Sequence, residues 1–217
     1  TCDKTKRICV CNEGFLGDSC DDSKSDIDTR EKLLSTCLES VPKIPQTKSI
    51  YENGASAINT VLAKSSVMSG SVRDSALDYL QSTSTENRSI LSNTSAESIA
   101  DAADSLLEGN MKELKSVLTT TKSAVLKSQA SSKNKSRVTG VLRTLENVAL
   151  ALGDKSIPGE ESTTIGTKSL QLSTQRTTSS RLKSQTLKIG TKANQPSNES
   201  SIILPSGGLV TSEESQD

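Results

Sequence analysis

The sequence predicts an α+β chain with a disulfide-rich beginning, a mainly α-helical middle and short strands towards its end. Three observations predict it. Four of the five cysteines lie within the first twenty residues, interspersed with glycine, as in a small module held by covalent bridges rather than by a core. From residue 28 to residue 153 apolar side chains recur at threes and fours, the period of a helix with one buried face. After Gly153 the apolar residues alternate instead, which is the period of a strand.

Composition narrows the possibilities. The 217 residues contain no His and no Trp, and Phe15 is the single phenylalanine, so any core is aliphatic. Lysine and arginine balance aspartate and glutamate at net zero, which removes a general electrostatic drive towards nucleic acid or an anionic membrane. No stretch approaches the eighteen or so apolar residues of a membrane span. No apolar segment near Thr1 reads as a signal peptide either, so the sequence reads as a fragment whose targeting segment and anchor lie outside it.

Taken in order, residues 1–20 carry Cys2, Cys9, Cys11 and Cys20, a density that implies an oxidising compartment. Gly14 and Gly17 supply turn geometries closed to other residues. Zinc is disfavoured there because structural sites pair their ligands across two-residue gaps, whereas Cys9 and Cys11 are separated by one residue. Residues 21–27 read as an acidic linker. A helix then follows on Ile27, Leu34, Cys37, Leu38 and Val41, capped by Asp28 or Thr29, with Glu31 in its first turn and Pro42 and Pro45 ending it. Cys37 reads as a buried free thiol or as half of a bridge to a cysteine outside the sequence.

Ala55, Ile58, Val61, Leu62 and Ser65 outline the next helix, and Val72, Ala76, Leu77 and Leu80 another, with Tyr79 at its edge. A weaker stripe runs from Ile90 to Leu107. A further one, from Met111 to Val125, is expected to start just after Gly109. The strongest signal is Arg137 to Leu152, with Val138, Val141, Leu142, Leu145, Val148, Ala149 and Leu152 on one side. Arg143, Glu146 and Asn147 fall on the other side, and Gly153 and Asp154 offer a stop. About six helices result, and the short loops between them imply antiparallel packing.

Pro158 and Gly159 break the chain beyond. LQLST, TLKIGT and SIILP read as strands, and the acidic end TSEESQD reads as frayed. Two or three strands make an unstable sheet alone, so they need further strands or a helical surface to lie on. The cations Lys168, Arg176, Arg181, Lys183, Lys188 and Lys192, without interleaved aromatics, read as a solvated face rather than a nucleic-acid site. A glycosaminoglycan or acidic partner is conceivable for them. Asn87, Asn93, Asn134 and Asn198 each begin an Asn-x-Ser/Thr triplet without proline and are the candidate glycosylation sites. Glycans must face water, so the segment around Ile90 is expected to be peripheral. No residue is a candidate for catalysis, for a cofactor or for a metal, because nothing pairs a nucleophile with a base.

The cysteine stretch ending CxCNEGFLGDSC resembles the carboxyl-terminal half of an epidermal-growth-factor-like (EGF-like) module. The resemblance implies that Cys11 pairs with Cys20 and that Cys2 and Cys9 bond to cysteines further upstream. Stapled module, acidic connector, helices and strands in this order resemble the extracellular region of adhesion G-protein-coupled receptors. VLRTLENVALAL, SLQLSTQR and SIILP carry that resemblance. It implies a domain order of module remnant (1–20), acidic linker (21–27), helical subdomain (28–153) and the first strands of an incomplete β-sandwich (154–217), as in the autoproteolysis-inducing (GAIN) domain. The cleavage tripeptide of that family needs a histidine, and the sequence has none.

The expected function is therefore noncatalytic: the extracellular adhesion or ligand-binding part of such a receptor. Its partners would be an unidentified protein or glycan ligand and the rest of the receptor, with no nucleic acid, no membrane span and no cofactor. The rival expectation is a secreted or matrix protein with an EGF-like module on a Ser/Thr-rich stalk.

Overall fold

Small side chains at helical spacing decide how the longest two helices meet. A computed structural model of the chain describes residues 11–17, 20–40 and 47–176 in full and residues 2–3, 8–9, 186–189 and 200–203 as backbone. Helix α4, Asn93–Thr120, brings Ala96, Ala100, Ala102 and Ala103 to full burial, so its backbone can approach its neighbours closely. Helix α5, Ala124–Lys155, contributes Val141, Leu145, Val148, Ala151 and Leu152. Asn134 of α5 lies beside Met111, Arg137 beside Glu113, and the Lys155 ammonium donates to the Leu91 carbonyl. Only residues 121–123 separate the two helices, and the partner moves back from Glu113 to Leu91 as α5 advances from Arg137 to Lys155, so the pair is antiparallel.

Three shorter helices complete the bundle: α1, Lys24–Ser40; α2, Lys48–Leu62; and α3, Gly70–Glu86. A 3-10 turn, Ser65–Val67, joins α2 to α3. Helix α2 packs on α4 and α3 packs on α5. Helix α3 runs parallel to α5, since Asp74 meets Arg137, Gln81 meets Gly140 and Ser84 meets Asn147. The core is aliphatic, with Leu34, Ile58, Leu62, Leu80, Leu91, Ile99 and Leu106 essentially inaccessible and Tyr51 its one buried aromatic ring among the described residues.

Polar caps fix where the helices start. The Thr47 hydroxyl accepts from the Ile50 amide at 3.3 Å at the head of α2. Ser92 and Ser95 form a reciprocal capping box at the head of α4. Carboxylates from neighbouring helices reinforce two of these starts: Glu52 accepts from the Ser92 hydroxyl, and Glu31 accepts from the Ser69 amide just before α3. Negative charge is favoured at the amino-terminal end of a helix, so these contacts also set the helices relative to one another.

Several boundaries differ from the sequence expectation, each for a physical reason. Helix α1 starts at Lys24, with the Ser23 hydroxyl rather than Asp28 or Thr29 accepting near its start, from the Asp26 amide at 3.0 Å. The acidic stretch is ordered because Asp22–Ser23 (β4) pairs antiparallel with Phe15–Leu16 (β3), while the Lys24 amide donates to the Gly14 carbonyl at 2.8 Å. Gly109 does not start a helix; α4 passes through it and replaces two expected helices with one. A Cβ on Gly109 would lie 3.0 Å from the Ser65 carbonyl oxygen, so glycine there admits the 3-10 turn. Packing thereby outweighs the helix propensity that glycine forfeits, about 1 kcal/mol.

Helix α5 likewise begins before Arg137, capped by the Ser123 hydroxyl, and continues through Gly153 to Lys155. Its end is set by Pro158, which disfavours helical geometry at Ile157. The described residues thus hold five α-helices rather than about six. On α5, Leu142 is 58% exposed, whereas Thr144 is fully buried. Asn147, expected on the solvent side, donates to the Thr85 hydroxyl at 2.8 Å.

The strands form two-stranded antiparallel ladders. Thr163–Gly166 (β5) pairs with Gln171–Thr174 (β6), Ile165 opposite Leu172. This hairpin lies on α4 and α5 with Ile165 buried, so the helices supply the covering surface that a lone hairpin lacks. Thr186–Ile189 (β7) pairs with Ser200–Ile203 (β8), and Cys2–Asp3 (β1) with Ile8–Cys9 (β2). The observed architecture is mainly helical with small sheets and a disulfide-closed loop. Val41, Pro42, Pro45 and the acidic end TSEESQD lie outside the described residues.

Candidate functional site

The Cys loop is built from its turn residues upward. Gly14 and Gly17 have φ of 84° and 90°, and a Cβ on Gly17 would come within 2.9 Å of an Asp22 carboxylate oxygen. These turns bring Cys11 and Cys20 together in a disulfide, with Cα atoms 5.1 Å apart. Cys20 is itself left-handed, at φ 58°, and its amide donates to the Gly17 carbonyl at 3.3 Å. The loop is moored to the bundle by Lys64, whose ammonium lies 2.8 Å from Asp22. That hydrogen bond and the charge of Asp22 raise the pKa of the lysine. Phe15 and Leu16 remain exposed on the loop.

Cys2 and Cys9 stand opposite each other in the β1–β2 register; their side chains lie outside the described residues. Cys37 is a half-buried free thiol on α1. Burial and then the nearby charge of Cys37 push the Tyr79 phenol up to about 12.

The candidate glycosylation sites differ in setting. Asn93, the first residue of α4, is exposed. Asn87 caps α3 and is half-buried, and its carbonyl accepts from the Ile90 and Leu91 amides. Leu91 is fully buried, so the turn around Ile90 reaches the core rather than lying wholly at the periphery. Asn134 turns its amide nitrogen to the Met111 sulfur at 3.8 Å, and its carbonyl oxygen is buried without a partner. Asn198 lies outside the described residues.

Helices α3 and α5 flank a polar groove of about 620 Å³ lined by Asp74, Asp78, Gln81, Lys133, Arg137 and Arg143 among others. At one end of it lies a charge network that the sequence reading missed. Arg137, 5% exposed, holds Asp74 in two bonds of 2.5 and 3.1 Å, donates to Glu113 at 2.6 Å and reaches the Gly70 carbonyl at 3.1 Å. Arg73, equally buried, shares Glu113 and donates to the Ser65 and Met68 carbonyls at 3.0 and 2.9 Å. Burial lowers the pKa of Arg73. Burial alone would raise Asp74 and Glu113, but the arginines, and Lys133 beside Asp74, outweigh it and hold both carboxyls below their usual range. Nothing in the sequence marks the network, because Glu113 and Arg137 lie tens of residues from Arg73 and Asp74 and each resembles a surface ion.

A buried carboxylate joins the β5–β6 hairpin to the helices. Asp104 of α4 accepts from the Thr167 hydroxyl at 2.9 Å and from the Ser169 amide at 2.8 Å, clasping the β5–β6 turn. Lys168 on the same turn pairs with Glu108 at 3.0 Å. Among the described residues there is no group of three or more His, Cys, Asp or Glu placed to hold a metal, and no helix is long and apolar enough to cross a membrane. The arrangement offers hydrogen bonds and ion pairs over open surface, which suits binding. No protein-family model, no curated protein and no solved structure matches the chain.

Proposed function

We propose that this chain is the noncatalytic, extracellular front portion of an adhesion-type G-protein-coupled receptor and that it binds a protein or glycan ligand. In this reading the Cys11–Cys20 loop is the end of an EGF-like module, and the helices and hairpins are part of a GAIN-type domain. The observation that carries it is the seating of a disulfide-closed loop directly on a helical bundle, which in turn carries a β-hairpin clasped by Asp104. A bridge formed in an oxidising compartment fits an extracellular position. The absence of His leaves the family's cleavage chemistry without its base, so the chain's part would be binding and the holding of neighbouring segments.

The test is to label the full-length product at the cell surface and fractionate it with membranes, while peptide mapping without reductant reports on Cys11 and Cys20. A membrane-held product containing this chain supports the receptor reading. Recovery only from medium or matrix transfers the assignment to a secreted structural protein with a Ser/Thr-rich stalk.

A further inference from the structure

The far end of the α4–α5 hairpin has a character that the rest of the bundle lacks. Helices α2 and α3 span 15 and 17 residues, whereas α4 and α5 span 28 and 32, so the long pair outreaches its neighbours. The Arg73–Glu113–Arg137 cluster is the last buried tie between these layers. From Met111 to Ser136 no residue is buried. That end carries Lys112, Lys115, Lys122, Lys127, Lys133 and Lys135 against a single acid, Glu113, and Glu113 is taken by the two arginines. Lys133 pairs with Asp74 and Lys112 with Glu108. A chain of net charge zero thus concentrates positive charge at one end of one hairpin.

Apolar surface accompanies the charge. Met111 is 49% exposed, Leu118 40%, Val125 65% and Leu126 52%. Four exposed large apolar side chains beside Lys115, Lys122, Lys127 and Lys135 fit a partner that offers both carboxylates and apolar groups. A sulfated polysaccharide would answer the lysines and leave the aliphatic groups wet. A single-stranded nucleic acid would stack its bases on aromatic side chains, and residues 111–136 contain none. A bilayer would meet first the tip of the hairpin, residues 119–124, whose side chains are three threonines, a lysine, a serine and one alanine, rather than an apolar wedge. An acidic amphipathic polypeptide segment laid along the hairpin satisfies both features.

We propose that residues 111–136 form a docking surface for an acidic, apolar-bearing segment of another polypeptide. This rests on the binding reading above but not on the receptor assignment, since purified soluble protein suffices for the test and the membrane fractionation does not enter it. The probe is a synthetic helical peptide with glutamate on one face and leucine on the other, titrated against the whole chain. Lys115→Glu/Lys122→Glu/Lys127→Glu should weaken its binding by about a hundredfold, and Val125→Ser/Leu126→Ser by about tenfold, each decade being about 1.4 kcal/mol. Lys32→Glu, on the exposed face of α1, should leave it unchanged, and circular dichroism should show every variant folded. Absence of peptide binding, or equal weakening by Lys32→Glu, overturns the proposal. So does tighter binding to heparin or to phosphatidylserine vesicles than to the peptide, which would reassign the surface to glycan or membrane.

Discussion

Arg137 shows how much can depend on a single side chain. Its guanidinium joins α3, α4 and α5 through Asp74, Glu113 and the Gly70 carbonyl. Breaking a fully buried pair costs about 3–5 kcal/mol, but Asp74 and Glu113 keep more than a third of their side chains in water. Solvent screening therefore reduces the expected loss for Arg137→Ala to about 2 kcal/mol in a denaturant titration. The same network sets a pH dependence. Because the Asp74 and Glu113 pKa values are depressed on folding, their stabilisation is fully present above the unfolded values and is lost as pH falls through the folded ones. Stability should hold above about pH 5 and decline below it, and Asp74→Asn/Glu113→Gln should flatten that decline. An unchanged slope in the double variant would locate the acid sensitivity elsewhere. At the same scale, Leu145→Ala should cost about 2–5 kcal/mol and Leu142→Ala less than about 0.5, since only Leu145 is buried.

Elements meet through a few polar ties laid over aliphatic packing. The β5–β6 hairpin has Ile165 in the core, yet its turn is positioned by Asp104. Asp104→Ala would remove the bonds from the buried Thr167 hydroxyl and the Ser169 amide, a loss of about 1–3 kcal/mol. Amides of residues 163–174 should then exchange faster with solvent while those of α4 keep their protection. Uniform acceleration across both would mean that the hairpin opens only with the whole bundle. The helix boundaries follow the same logic. Gly109 reads as a helix start and Gly153 as a stop in the sequence, but a helix ends only where the next hydrogen bond is lost, and both helices run through these glycines, Gly109 packed against Ser65.

For the whole molecule, the settings of the Asn-x-Ser/Thr triplets lead to a ranking. Expressed with a secretion signal, the chain should carry glycan on exposed Asn93 in preference to Asn134, whose amide is engaged against Met111. Site-resolved peptide mass spectrometry before and after glycosidase treatment reads this. Full occupancy of Asn134 with Asn93 bare would contradict the surface described.

By itself the sequence determined the class: a cysteine-stapled start, a helical middle and strands after the period changes. Those properties were legible because local spacing encodes which face of an element is apolar, as at Val141, Leu145 and Val148. Tertiary structure alone decided that α4 runs unbroken through Gly109, that the acidic stretch is pinned to Gly14, and that Leu142 faces water. It also decided the charge network, because the adjacent Arg73 and Asp74, Glu113 and Arg137 come from three stretches tens of residues apart and each alone resembles a surface ion. Spacing along a chain carries no information about which helix will cover a given turn, and that covering turns an ordinary arginine such as Arg137 into a buried tie between three helices.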